Sequence, residues 1–334
     1  RVAAWKEALL RASWERFRAH GNPRMRETFQ SFRAAPEQAV WLDDFALFMA
    51  LRLHYAGRSW SAWEPRIRRR EPESLRRARR ALAGEIAYQE YLQFAFDRQW
   101  RRMKSAAERL GIRLFGDLPI YVAHDSSDVW VRQDLFALDA EGLATAVAGV
   151  PPDYFSATGQ RWGNPLYRWD RLEAEGYAWW VERVRANLGR CDLLRVDHFR
   201  GFAGYWEIPG EAETAIEGRW VEGPGVRLFD ALRAALGDLP LVAEDLGHIT
   251  PDVHDLRRSL AMPGMRVLQF AFDGSPDNPH LPGRHEPDCA VYTGTHDNNT
   301  VRGWYEDEAD GPTSVTLRSA WMMLAANRLA VPLH

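Results

Sequence analysis

Residues 191–209 read CDLLRVDHFRGFAGYWEIP. The short run Leu193–Val196 is mostly apolar, which reads as a strand covered on both faces. It leads straight into Asp197 and His198 and then into a turn rich in glycine and aromatic residues. A charge buried at a strand end is costly unless it is paired or used. The stretch therefore predicts a strand that ends in a pocket, with Asp197 at the opening.

Similar runs occur on either side of it. After Gly111, short apolar segments at 113–118, 193–196, 241–243, 266–272, 290–292 and 328–333 are separated by amphipathic stretches at 177–188, 226–236 and 251–260. That alternation predicts βα units and a parallel sheet. Residues 1–110 differ. There Val40, Phe45, Phe48, Met49 and Leu53 recur at helical spacing, and Leu92, Phe96, Trp100, Met103, Ala107 and Leu110 continue the pattern in a long Arg-rich helix. The expected organisation is a helical subdomain over 1–110 inserted in a barrel whose remaining portion is 111–334. Six candidate strands fall short of the eight that close an α/β barrel.

Composition narrows the classes of partner. The 334 residues are 46% hydrophobic and 27% charged, ordinary for a folded globular chain. With 43 basic against 46 acidic residues, no net field draws the whole chain to nucleic acid or to an anionic membrane, and neutral partners are expected. No segment reaches the ~20 apolar residues of a membrane span. Cys191 and Cys289 each border an apolar run, as reduced half-buried thiols do, which suits a cytoplasmic location. The eight arginines within 66–80 are interleaved with Glu71 and Glu73, and Pro72 suits the first turn of a helix. That pattern reads as a solvated helix face, not a phosphate-binding stripe.

Polar residues gather at the ends of the predicted strands. Asp117 closes one, Asp197 and His198 a second, Glu244 and Asp245 a third, and His296 with Asp297 follow the run from Val291 to Thr295. In a parallel barrel all such ends face one side, where the active site is built. Carboxylates there permit two chemistries. With His198, His296 or His124 they can hold a divalent metal. Alternatively, two carboxyl groups ~5 Å apart can form and break a glycosyl-enzyme ester. The segment GVPPDYFSATGQRWGNPLYRW, residues 149–169, favours sugar: Tyr154, Phe155, Trp162, Tyr167 and Trp169 lie among turn residues and read as a loop. Flat rings with polar neighbours suit pyranose faces, although such rings also serve simply to pack a loop down. Arg195 shares a strand face with Asp197 and can pair with it, and an adjacent cation keeps a carboxylate ionised, as a nucleophile requires. Glu244 has no basic neighbour in sequence before His248, which is compatible with a raised pKa and an acid role.

These residues also carry a resemblance. RVDHFRG (195–201), LVAEDLG (241–247) and YTGTHDNNT (292–300) resemble, in that order, the strand-4, strand-5 and strand-7 motifs of the α-amylase clan of retaining α-glucan enzymes. GDLPIYVAHDSSDVW (116–130), the 149–169 segment and PGMRVLQFAF (263–272) narrow it to the 4-α-glucanotransferase family, also called amylomaltase or disproportionating enzyme, over about residues 41–304. The resemblance implies a (β/α)8 barrel with inserted helical subdomains, whose first strands and C-terminal end are expected to lie outside this sequence, and no metal or organic cofactor. It implies that Asp197 is the nucleophile, Glu244 the general acid/base and Asp297 the third carboxylate. Arg195, His198 and His296 match residues around the cleaved sugar; Tyr154, Phe155 and Trp162 match the loop over the bound glucan; and Asp117 is a strand-end residue near the site. The implied reaction transfers α-1,4-glucan segments among maltooligosaccharides, starch- or glycogen-derived chains and glucose. A retaining α-glucan hydrolase and an inactive glucan-binding fragment are the alternatives.

Overall fold

The computed structural model describes residues 2–152, 156–247 and 249–308. It divides into two compact units, one of Arg1–Leu194 and Gly201–Pro240, the other of Arg195–Arg200 and Leu241–His334.

The first unit opens with helices α1 (Val2–His20), α2 (Pro23–Ala34), α3 (Pro36–Ala39), α4 (Leu42–His54), α5 (Pro65–Arg68), α6 (Pro72–Ala81) and α7 (Ala83–Arg109). Their starts are written in the sequence. Proline takes the first position of α2, α3, α5 and α6, where a missing N–H costs nothing. Asn22 caps α2 by accepting the Arg24 N–H at 2.8 Å. Phe29, Phe32, Leu42, Tyr91 and Phe94 form the core here, with Trp14, Phe17, Met25, Trp41 and Leu92 packed against it.

The apolar stripes read from the sequence are only partly those that pack. On α4 Phe48 is buried, but Val40 and Leu53 are exposed, and the buried set is Leu42, Ala46, Leu47, Phe48, Ala50 and Leu51. On α7 the inward residues include Tyr88, Tyr91 and Phe94, while Phe96, Met103 and Leu110 face solvent. Both helices carry apolar residues on more than one face, so periodicity alone cannot choose the packed one; the neighbouring helices α1, α2 and α4 do so for α7.

The arginines of α5 and α6 form an ion-paired face. Arg70 lies 2.9 Å from Asp44, Arg79 2.6 Å from Asp43, and Arg69 3.3 Å from Glu71. Exposed pairs of this kind contribute ~0–1 kcal/mol each. Arg70 adds a stacked contact, its guanidinium 4.3 Å from the centre of the buried Trp130 ring.

Beyond Gly111 come β1 (Phe115–Leu118), α8 (Ser127–Val131), β2 (Ala146–Val150), β3 (Gln160–Pro165), α9 (Trp169–Ala174), α10 (Ala178–Leu188), β4 (Leu193–Val196), β5 (Gly204–Pro209), β6 (Arg219–Glu222) and α11 (Val226–Leu236). Strands β3-β2-β5-β6 form an antiparallel sheet in that order. This sheet corrects the reading of 149–169 as loop. Residues 160–165 are a strand because Gly149 pairs with Arg161 and Val147 with Pro165, partners that no local pattern reveals. Val147, Ile208 and Ala215 form the small core against it.

Strand β4 passes from the first unit into the second. In the first, Leu193 donates to Leu114 O at 3.1 Å and Leu194 to Pro240 O at 3.0 Å. The second unit contains β7 (Leu241–Ala243), α12 (Pro251–Ser259), β8 (Gly264–Val267) and β9 (Cys289–Tyr292). Strands β8 and β9 pair in parallel from Gly264↔Cys289 to Val267↔Tyr292. Ala243 N–H donates to Pro263 O at 2.8 Å, tying β7 to the start of β8. The strand expected over 266–272 ends at Val267 and turns into a 3-10 segment, Leu268–Ala271. Its turn is held from the side: Asn278 donates to Phe270 O at 2.7 Å. The strand expected at 328–333 lies outside the described residues. Among the described residues no helix is long and apolar enough to cross a membrane, and both cysteines are free and half-buried.

Gly149 tests the hairpin. A Cβ there would collide with the Gln160 carbonyl oxygen and lie 2.5 Å from Ile208 Cδ1. Gly149→Ala should lower unfolding stability by about 1–3 kcal/mol, read from the urea midpoint. An unchanged midpoint would mean that β2 and β3 are not packed this closely.

Candidate active site

The second unit brings together the residues that cluster at strand ends. Arg195, in β4, is buried, and Asp197 follows it just beyond the strand on the same face. The Arg195 Nη2 lies 2.8 Å from Asp197 Oδ1 and 3.7 Å from Asp297 Oδ2. One cation thus faces two carboxylates. His296 Nε2 stands 3.4 Å from Asp297 Oδ1, and both of these side chains are well exposed. Tyr292, at the end of β9, is half-buried; burial raises its phenol above its usual pKa, with the Arg195 charge opposing, so the hydroxyl is neutral at ordinary pH.

Glu244 is arranged differently. It follows β7 directly, its own N–H donating to Val196 O at 3.0 Å and its carbonyl accepting from Phe199 N at 3.2 Å. Glu244 is only 9% exposed, and its carboxyl accepts two backbone N–H groups, His198 at 2.7 Å and Leu246 at 2.9 Å. Burial pushes its pKa up to about 7; the Leu246 N–H, Arg195 and the His198 N–H oppose that rise, and the Asp197 charge adds to it. A carboxyl that titrates near neutrality can give up and take back a proton at working pH. Asp197 and Glu244 are therefore two carboxyl groups in contrasting surroundings, one facing a guanidinium and one withdrawn from water.

His198 contributes through its backbone. With φ at 49° it occupies the left-handed region, unusual for a residue with a side chain, and this turn directs its N–H at Glu244. Its imidazole is held neutral, its pKa lowered to about 3 by burial and by Arg200. Among the described residues no three His, Cys, Asp or Glu side chains converge in a way that could hold a metal ion.

The remaining residues singled out in the sequence belong to the first unit or lie outside the described residues. Asp117 is in β1 and exposed. Trp162 is in β3, 39% exposed, with its Nε1 donating to Gln160 Oε1 at 3.1 Å. Tyr167, from the same segment, is core: its hydroxyl donates to Ile120 O at 2.8 Å and its ring contacts Trp169 and Trp180. Tyr154 and Phe155 lie outside the described residues. Sequence reasoning missed the two backbone donors to Glu244, because any residue supplies an N–H, and it gave Asp245 no role of its own.

A family model described as 4-alpha-glucanotransferase matches residues 1–328. The chain belongs to that family. It is 51% identical over 304 residues to a 4-alpha-glucanotransferase of Thermus thermophilus, covering 90% of this chain and 60% of the relative. To that of Synechocystis sp. it is 48% identical over 310 residues, covering 92% and 61%. Among solved structures, the amylomaltase of Streptococcus agalactiae in complex with acarbose is 36% identical, with a TM-score of 0.89 over 95% of this chain and 63% of that one. The chain thus spans about three fifths of the length of these 4-alpha-glucanotransferases. Its fold is that of the amylomaltases, the α/β barrel of the α-amylase clan with inserted helices, over the part that it spans.

The contrast between the carboxyls can be titrated. Glu244 should ionise near pH 7 by carboxylate infrared difference spectroscopy. Asp197→Asn removes a charge that raises it, so the midpoint should fall. Arg195→Met removes a charge that lowers it, so the midpoint should rise. Opposite shifts would mean that these side chains do not act on Glu244 as placed.

Proposed function

We propose that the chain carries the catalytic centre of a 4-α-glucanotransferase acting by retaining double displacement on α-1,4-glucans. The observation that carries this reading is the pairing of Asp197, 2.8 Å from Arg195, with a buried Glu244 whose pKa is raised to about 7. One acid kept as a proton donor beside one available as a nucleophile is the division of labour that glycosyl transfer requires.

In the first step an Asp197 oxygen attacks the anomeric carbon while Glu244 delivers its proton to the departing glycosidic oxygen. The C1–O bond breaks and a glycosyl ester forms on Asp197. In the second, Glu244, now ionised, removes the proton from the 4-hydroxyl of an acceptor sugar, whose oxygen displaces Asp197. Two inversions retain the configuration. Asp297, steadied by Arg195 and His296, is assigned to the sugar hydroxyls that develop stronger hydrogen bonds in the transition state. His198 and Arg195 are assigned to the same sugar. Trp162, Tyr154 and Phe155 are assigned to glucan stacking and Asp117 to the margin of the site.

Donors and acceptors in this proposal are maltooligosaccharides, starch- or glycogen-derived chains and glucose, with no metal or organic cofactor, in the cytoplasm, and with no role for nucleic acid or membrane. The helical residues 1–110 form an inserted subdomain, and 111–334 the catalytic portion. An acceptor sugar outcompetes water when it is held in line with the anomeric carbon.

Bond counting separates transfer from hydrolysis. From maltotriose, transfer should yield glucose and maltopentaose at a constant number of reducing ends, and Asp197→Asn should lower turnover by roughly three orders of magnitude or more. Reducing ends that rise in step with maltotriose loss would leave a hydrolase instead. The pH profile follows from Glu244: above about 7 the free enzyme holds it ionised and unable to donate, so kcat/KM should decline on the alkaline side through that value. A profile flat from pH 6 to 9 would assign the acid elsewhere.

A further inference from the structure

Glu244 is followed by a second acid, Asp245, whose surroundings are set by buried side chains. The Asp245 side chain is 1% exposed, and its Oδ1 accepts the Met265 N–H at 2.7 Å. Arg257 Nε lies 3.4 Å from Oδ2, and Arg266 Nη1 lies 3.4 Å from Oδ1. Both arginines are themselves buried and further anchored, Arg257 by donating to Met262 O at 2.9 Å and Arg266 by donating to Met265 O at 2.6 Å. Gly264 leaves the room: a Cβ there would sit 2.5 Å from Asp245 Oδ2. A carboxylate this deep is tolerated only when paired and hydrogen-bonded, and here the partners all come from α12 and β8.

The placement has a consequence one residue away. Glu244 and Asp245 point to opposite sides of the chain as it leaves β7, so the acid that reaches sugar and the acid that anchors the strand share one backbone segment. Asp245 is the middle residue of the 244–246 turn, in which Leu246 N–H donates back to Glu244 Oε1 at 2.9 Å. That bond exists only while the peptide between 245 and 246 keeps its orientation. We propose that Asp245, clamped by Met265 N–H, Arg257 and Arg266, is a positioning residue that holds the Glu244 carboxyl in line for proton transfer. The inference rests on the acid/base role proposed for Glu244. The groups facing Glu244 itself are Arg195, Asp197 and the His198 N–H from the β4 side and the Leu246 N–H from its own segment; Asp245 acts through the last of these.

Leaving groups make the role testable. With maltotriose, the C1–O bond breaks only as Glu244 transfers its proton to the leaving oxygen. With α-maltosyl fluoride, the C1–F bond breaks as Asp197 attacks, and fluoride departs with the bonding electrons and needs no proton. A misaligned Glu244 therefore slows the first donor and spares the first step of the second. In the full chain, Asp245→Asn should lower maltotriose turnover by about tenfold to a hundredfold with KM little changed, while the burst of fluoride keeps the wild-type rate. The burst amplitude counts folded sites, so partial unfolding does not distort the comparison. If Asp245→Asn does not fold, Gly264→Ala displaces the Asp245 carboxylate without removing its charge, and the same split between donors is expected. Equal slowing of both donors, or of neither, would overturn the inference alone. A wild-type chain inert toward both donors would overturn the proposed function and this inference with it.

Discussion

The centre depends on withdrawing one carboxyl from water while keeping another next to a cation. Glu244 is buried, and that burial outweighs the opposing effects of Arg195 and two backbone N–H donors, bringing its pKa to about 7. Asp197, one turn of chain away across the β4–β7 hydrogen bonds, faces Arg195 at 2.8 Å. Were both acids in the same surroundings, nothing would distinguish their carboxyls. The asymmetry comes from position, since the two side chains differ by a single methylene.

Several local features maintain that asymmetry. The left-handed backbone at His198, a conformation that costs of order 1–3 kcal/mol for a residue with a side chain, is retained where its N–H meets Glu244. The reciprocal bonds Glu244 N–H to Val196 O and Phe199 N–H to Glu244 O join the two strand ends on which Asp197 and Glu244 stand. Behind them, Asp245 fastens β7 to β8 through Met265, Arg257 and Arg266. Asp297 is held more loosely, 3.7 Å from Arg195 and well exposed.

In the first unit, the core draws heavily on aromatic residues. Trp60, Trp130 and Trp180 are fully buried, and Tyr167 packs among Trp169, Trp179 and Trp180. Trp162, from the same segment as Tyr167, keeps 39% of its surface exposed. The ion pairs of α5 and α6 contribute little individually; their larger effect is to neutralise a run of arginines within the chain itself.

By itself the sequence determined which strand ends carry acids. Asp197 after Leu193–Val196, Glu244 after Leu241–Ala243 and Asp297 after Cys289–Tyr292 were legible because an acid that closes an apolar run has few ways to be accommodated. Pairing of Arg195 with Asp197 was legible too, from the two-residue period of a strand. Helices α10, α11 and α12 matched their amphipathic stretches nearly to the residue. Only the tertiary structure decided that 160–165 is a strand, since its partners Val147 and Gly149 lie across a turn, and that α7 buries Phe94 and exposes Phe96, since both faces are apolar. It also decided that Asp245, next to Glu244, is clamped by arginines. Glu244 and Asp245 differ in sequence by one position, but a strand sends neighbouring side chains to opposite faces, and what waits on each face is supplied by residues far away along the chain.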